Sequence, residues 1–143
     1  MVTDEDRALL QAAIDAQGQA HCPFSRYPVG SAVRTTGGQV FTGCNVESAS
    51  FSLTCCAERV AVFKAVSEGH KQLVACAIVT SEQRPVPPCG ACRQVLFEFG
   101  TDMRLVLGNA AGEIRIARLN DLLPEGFSQE QLGHVVVAQR QRD

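Results

Sequence analysis

Leu73-Val74-Ala75-Cys76-Ala77-Ile78-Val79-Thr80 is almost continuously apolar over eight residues. A run of that length and character suits a strand buried on both faces. Such a strand needs cover on each side, which the segments around it must supply. Behind it, Pro85, Pro87 and Pro88 force a rigid loop, and a short helix then runs from near Cys89 to Gly100. Residues 104–107 and 113–117 read as two more strands. Only the stretch from Gly108 to Gly112 separates them, whereas parallel neighbours need a crossover of about a dozen residues or more. If these two strands pair, they pair antiparallel.

Ahead of the octet, residues 56–68 read as a helix that stops at Gly69. Residues 45–54 are polar and irregular. Residues 29–35 and 39–44 are strand-like and joined by a turn at Gly37-Gly38. Residues 22–28 form a loop with two prolines. Residues 3 to about 20 read as a helix capped by Thr3, with Asp4, Glu5 and Asp6 at the positive end of its dipole. Leu9, Leu10, Ala13 and Ile14 make its apolar face. With a short helical tail from about Asn120, the order is α-ββ-α-β-α-ββ. That is an α/β fold: a mixed five-stranded sheet flanked by helices, in one domain over residues 1–143.

The composition excludes several classes of function. A net charge of −2, with Lys and Arg scattered, gives no basic stripe of the kind that nucleic acid needs. The pair Arg140 and Arg142 reads as a solvated tail. No stretch approaches the roughly 18 apolar residues of a membrane span. The N-terminal residues show no basic segment backed by an apolar run, so a cytoplasmic protein is expected. Seven cysteines is an odd count, and in a reducing compartment they are metal ligands, catalytic thiols or small core residues rather than disulfides.

Three of those cysteines stand in a pattern that carries chemistry. Cys89 and Cys92 are three apart at the start of a helix, a spacing that shares one face. The unpaired N–H groups and the dipole of a helix start stabilise thiolates. Cys56 stands at the start of another helix, so two helix starts can aim three sulfurs at one cation. Three protein ligands with an open position is the pattern of catalytic zinc, since structural zinc is normally closed by four. Glu58 lies two residues beyond Cys56, about 200° around an ideal helix. The two meet at a metal only if residue 56 sits at the helix start. Three thiolates on Zn²⁺ leave a net charge of about −1, and Arg59 is a natural source of compensating hydrogen bonds.

Gly43-Cys-Asn45-Val-Glu47, Cys56-Ala57-Glu58-Arg59 and Pro88-Cys89-Gly-Ala-Cys92-Arg93-Gln94 together resemble the short zinc-dependent cytidine deaminases. The likeness runs from about Phe24 to Phe127. It implies the three-layer fold of that family, and hydrolysis at C4 of cytidine or deoxycytidine in pyrimidine salvage. It also implies zinc on Cys56, Cys89 and Cys92, with Glu58 shuttling the protons. By the same resemblance Asn45 and Glu47 bind the ribose 3′-hydroxyl, Ala57 offers backbone groups to the base, and Phe24 stacks on it. Phe127 resembles an aromatic contributed by a neighbouring subunit of a homotetramer. Phe51 stands where a tyrosine is expected and Ser48 where an asparagine is common; neither touches the metal or the proton shuttle.

Other readings stand beside this one. Cys89 and Cys92 can form half of a structural zinc knuckle closed by Cys55 and Cys56, although adjacent residues leave a helix about 100° apart. They can also form a redox pair, which leaves Cys56 and Glu58 unemployed. Cys22, Cys44, Cys55 and Cys76 read as small buried residues. His21, His70 and His134 have no partner at ligand spacing and read as non-catalytic. Arg59 can form an ordinary ion pair, and Phe24 and Phe127 can be packing residues. A base deaminase of RNA or DNA, a blasticidin-type aminonucleoside deaminase and a non-enzymatic zinc-stabilised module are the rival functions.

Overall fold

The computed structural model describes residues 1–132. His134, Arg140 and Arg142 lie outside the described residues. One sheet has the order β2-β1-β3-β4-β5. It comprises β1 (Gly30–Thr35), β2 (Val40–Cys44), β3 (Leu73–Thr80), β4 (Arg104–Asn109) and β5 (Ile114–Arg118). The apolar octet is β3, the central strand, antiparallel to β1 and parallel to β4. The last two strands pair antiparallel, from Arg104↔Arg118 to Gly108↔Ile114, as the short connection between them requires. The sheet is therefore mixed and five-stranded, as expected. Its single parallel step is the one that carries a helix in its crossover, α3 (Gly90–Phe99).

The alternation of β3 builds two cores. Cys76 and Ile78 face α2 (Ala57–Ser67) and α3, with Val62, Leu96, Leu105 and Leu107. Ala75, Ala77 and Val79 face α1 (Asp4–Gln17), with Leu9, Leu10 and Ala13. Helices thus cover both faces in three layers. Gly43 of β2 sets how closely α2 docks, because a Cβ there would lie 2.4 Å from the Ala57 carbonyl oxygen. The first turn of α2 is held against the sheet by that approach.

α1 is capped by Thr3 through a capping box with Asp6. It ends at Gln17 rather than near residue 20. Ile14, placed on its apolar face by sequence, is 40% exposed. The hairpin turns through Gly38 at φ +90°, and α2 stops before Gly69 at φ +92°. Residues 45–54 are more ordered than their polarity suggests. Val46 bridges both His21 and Cys55, and Phe51–Leu53 form a 3₁₀ turn. The helical tail is α4 (Leu119–Leu122), followed by a 3₁₀ turn at Gln129–Leu132. Among the described residues, no helix is long and apolar enough to cross a membrane.

Candidate active site

The starts of α2 and α3 come together at the carboxyl end of β3. Cys56 is the N-cap of α2 and Cys89 the N-cap of α3. Both have the extended backbone of a capping residue, so their side chains leave the helix ends instead of the helix flanks. Cys92, one turn into α3, is fully buried, and its N–H donates to the Cys89 sulfur at 3.5 Å. The three sulfurs lie within 4.8 Å of one another. Tetrahedral zinc with Zn–S bonds of about 2.3 Å holds its sulfurs about 3.8 Å apart, so the set fits a zinc ion.

Electrostatics supports the same fit. The Cys56 thiol is lowered to about 5, through hydrogen bonding with Cys92 and with Arg59. The Cys92 thiol is pushed up by that same partnership and by burial. Arg59 Nη2 donates to the Cys56 sulfur at 3.2 Å. Its Nε is buried and has no partner among the described residues. One guanidinium compensates one thiolate. Ionising all three sulfurs takes a further cation, which is the role a metal fills.

Glu58 is 5% exposed, and burial raises its carboxyl above the usual carboxylate range. It sits against the Cys92 thiol, and Cys56 is close enough to add to the upward shift. The meeting works because Cys56 precedes the helix. Cys55 stays out of the group. It pairs with Val46 through two backbone bonds of 2.9 Å, and side chains alternate along extended backbone. Burial also raises its thiol. Cys76 is fully buried, with its thiol pushed up to about 12 by burial. Cys22, Cys44 and Cys55 are half-buried, less enclosed than the sequence implies: Cys44 and Cys55 flank the 45–54 segment, and Cys22 follows His21, which bridges to that segment at Val46.

A cavity of about 600 Å³ opens beside the sulfurs. Cys56, Ala57, Glu58 and Cys89 line one end, with Ile78, Thr80 and the loop from Val86 to Pro88. Ser25, Tyr27, Val29, Asn45, Glu47 and Thr54 line the other. Asn45 is buried; its Oδ1 accepts from Val29 N–H at 2.9 Å and its Nδ2 donates to the Tyr27 carbonyl at 2.8 Å. That leaves it one N–H and one lone pair. Glu47 accepts from the N–H groups of Phe24 and Ser25 at 2.9 and 3.1 Å, and from the Ser25 hydroxyl. Arg93 also lines the cavity, with Nε on the Pro88 carbonyl at 2.7 Å and Nη1 on the Leu122 carbonyl at 2.9 Å.

Two expected contacts lie outside this lining. The Phe24 ring is half-exposed and packs edge-on against Phe51, centroids 5.4 Å apart. Phe127 is also half-exposed, with its carbonyl accepting from Gln94 Nε2 at 2.7 Å. Ser25, Tyr27, Thr54, Thr80 and Arg93 were not reached by sequence reasoning. Arg93 lay inside a quoted motif, but no spacing rule tied it to the Pro88 and Leu122 carbonyls.

Comparison with known proteins bears on the same residues. Residues 3–109 match the family model of the cytidine and deoxycytidylate deaminase zinc-binding region, a span that takes in Cys56, Glu58, Cys89 and Cys92. The chain is 47% identical over 125 residues to a cytidine deaminase of Halalkalibacterium halodurans, covering 87% of this chain and 95% of that one. A crystal structure of cytidine deaminase from Burkholderia pseudomallei superposes with a TM-score of 0.83 at 43% identity, covering 88% of this chain and all of the other. One from Mycobacterium tuberculosis gives 0.75 at 40% identity, covering 88% and 98%. With the family model spanning most of the chain and full-length relatives above 40% identity, this chain belongs to the cytidine and deoxycytidylate deaminase family, among its short cytidine deaminases.

Proposed function

We propose that the protein, acting as one catalytic domain over residues 1–143, hydrolyses the exocyclic amine of cytidine and deoxycytidine. Uridine or deoxyuridine forms, with release of ammonia. The observation that carries this reading is the meeting of a buried carboxyl, Glu58, with Cys56, Cys89 and Cys92 beside one cavity. A zinc ion on the three sulfurs would lower the pKa of water towards about 7 and so supply a nucleophile at neutral pH. Glu58 takes one proton from the attacking water and delivers it to N3 as the C4–O bond forms. It then moves the remaining proton of the new C4 hydroxyl to the amine as the C4–N4 bond breaks and the carbonyl forms, so that one water adds and one ammonia leaves. Its burial beside the cavity keeps bulk water from competing for the proton. Arg59 compensates the thiolate of Cys56.

The other end of the cavity suits a sugar. Asn45 keeps one N–H and one lone pair and Glu47 keeps one acceptor position, and a single hydroxyl can donate to Glu47 while accepting from Asn45. Ala57 begins α2, where N–H groups have no partner within the helix, and it presents backbone to the base. Phe24 stacks on the base, and Phe127 reaches a neighbouring subunit's site in a homotetramer. The support for assembly is apolar exposure next to the cavity: Phe51 and Leu53 are more than two-thirds exposed, and Phe24 lies against Phe51. The protein acts in the cytoplasm.

The charge of the lining favours a nucleoside over a nucleotide. Among the described residues it carries two carboxyls, Glu47 and Glu58, against one guanidinium that is tethered to backbone carbonyls. A phosphate would meet no free cation there. Ammonia release on purified zinc-loaded protein tests the proposal. Cytidine and deoxycytidine are expected to react and deoxycytidylate to react poorly. Stoichiometric zinc without ammonia from either nucleoside would reduce the protein to a zinc-stabilised module.

A further inference from the structure

Glu47 is half-buried at the cavity wall and belongs to no helix or strand. What fixes its carboxylate is the pair Phe24 and Ser25, more than twenty residues earlier. Phe24 and Ser25 place two N–H groups on Oε1, and the Ser25 hydroxyl donates to Oε2. The same hydroxyl oxygen accepts from Tyr27 N–H at 3.1 Å. Between these two bonds the chain passes through Arg26 at φ +55°, a left-handed conformation uncommon for a residue with a side chain. One hydroxyl thus ties together the turn of the loop and the direction of the carboxylate.

A carboxylate offers about four lone-pair positions. Both on Oε1 are taken by N–H groups, and one on Oε2 by Ser25. The single position left can accept one hydrogen bond and donate none. We propose that Ser25 is a positioning residue: its hydroxyl locks the Glu47 carboxylate so that one acceptor position on Oε2 faces the cavity for one substrate hydroxyl. This rests on the reading of Glu47 as a sugar-binding residue. The hydroxyl is also the main reason why the Glu47 carboxyl is held below the usual carboxylate range, with the main-chain donors and nearby His21 acting the same way. Phe24 and Tyr27 keep bonds that do not use this hydroxyl, the Phe24 N–H on Glu47 Oε1 and the Tyr27 carbonyl accepting from Asn45 Nδ2. Loss of the Ser25 hydroxyl therefore frees Glu47 Oε2 and leaves the base contacts and the sulfur end alone.

The test compares Ser25→Ala, Ser25→Thr, Glu47→Gln and the Ser25→Ala/Glu47→Gln double variant on cytidine and 3′-deoxycytidine, with zinc content measured for each. Ser25→Ala is expected to raise KM for cytidine roughly tenfold, in line with loss of a hydrogen bond to a charged group, with kcat little changed. On 3′-deoxycytidine the same variant is expected to match the parent. Ser25→Thr, which keeps the hydroxyl, is expected to restore most of the loss. In the Glu47→Gln background Ser25→Ala should add nothing. Equal losses on the two nucleosides, or additive losses in the double variant, would overturn the role of Ser25 while Glu47→Gln alone still separates the nucleosides. If Glu47→Gln fails to separate them, the sugar reading of Glu47 falls and Ser25 falls with it.

Discussion

The two ends of the cavity are held by different kinds of structure. At the sulfur end, Cys56 and Cys89 cap two helices whose cores are buried against the sheet, and Cys92 is itself buried. At the Asn45–Glu47 end, the contacts come from irregular segments joined by hydrogen bonds and isolated bridges. The first end draws its placement from packing of secondary structure, which tolerates loss of one polar bond. The second draws it from individual hydrogen bonds, so one hydroxyl there carries more of the geometry. In the proposed function, chemistry that needs fixed ligands falls to the first end and recognition of the sugar to the second.

The largest expected effect tests whether the sulfur end is as specific as its geometry. Cys56→Ala should lose tightly bound zinc and with it all measurable turnover, while Cys55→Ala keeps both. Cys55 is the neighbour in sequence, but its backbone is committed to Val46 and its sulfur is not in the cluster. Elemental analysis of the two purified variants settles the matter. Equal metal loss in both would revive a four-cysteine structural knuckle and remove the open position on which hydrolysis depends.

Next comes the proton. Glu58→Gln keeps the size of the side chain and removes the proton acceptor, and Glu58 is no ligand in this reading. Full zinc content with at least a hundredfold fall in kcat is expected, since general acid–base help is worth roughly 10²–10⁴-fold. Near-normal turnover would refute the shuttle. Loss of zinc would instead make Glu58 part of the metal set and blur the line between holding and reacting groups. The contrast with Ser25→Ala sharpens the comparison: one variant is expected to act on kcat and the other on KM.

Legibility in the sequence followed the same division. The sulfur end could be read because helix starts leave short-range marks. A Cys-x-Glu that reaches one point only from an N-cap, and a Cys-x-x-Cys on one helix face, are both periodic signals. The central strand and the antiparallel closing pair were legible from apolar continuity and from a connection too short for a crossover. The loop end was not. Ser25 meets Glu47 across twenty-two residues with no repeat, and the bridges from Val46 to His21 and Cys55 follow no hydrophobic pattern. Phe24 and Phe127 show the limit on the other side, since resemblance named their roles while their surroundings within one chain leave both half-exposed.

The smallest effect on catalysis, and a control on the whole comparison, is expected on the far face of the sheet. Asp6 is 1% exposed, and Arg104 at the start of β4 grips both its oxygens, Nε on Oδ1 at 2.9 Å and Nη2 on Oδ2 at 2.7 Å. The Thr3 N–H adds a third bond at 2.9 Å. These partners, Arg104 foremost, hold the Asp6 carboxyl far below the usual carboxylate range. A depressed native pKa contributes stability that is fully present above the unfolded value, near 3.9, and is lost as pH falls below it. Asp6→Asn should therefore lower stability near neutrality by about 2–3 kcal/mol, less than the roughly 3–5 kcal/mol for breaking a fully buried pair because Arg104 keeps some exposure. The gap between parent and variant should narrow progressively as pH drops below about 4, where the carboxyl of the unfolded parent takes up a proton that folded Asp6, held ionised by Arg104, does not. Denaturation curves across that range measure it. Folded Asp6→Asn is expected to keep parental kcat, zinc content and discrimination between cytidine and 3′-deoxycytidine, because α1 packs on the face opposite α2 and α3. A variant that lost its preference for the 3′-hydroxyl would show instead that the loop end depends on α1, to which it is joined by the Gln17 side chain on the Pro28 carbonyl at 3.0 Å. The independence of the two ends from the opposite layer would then have to be given up.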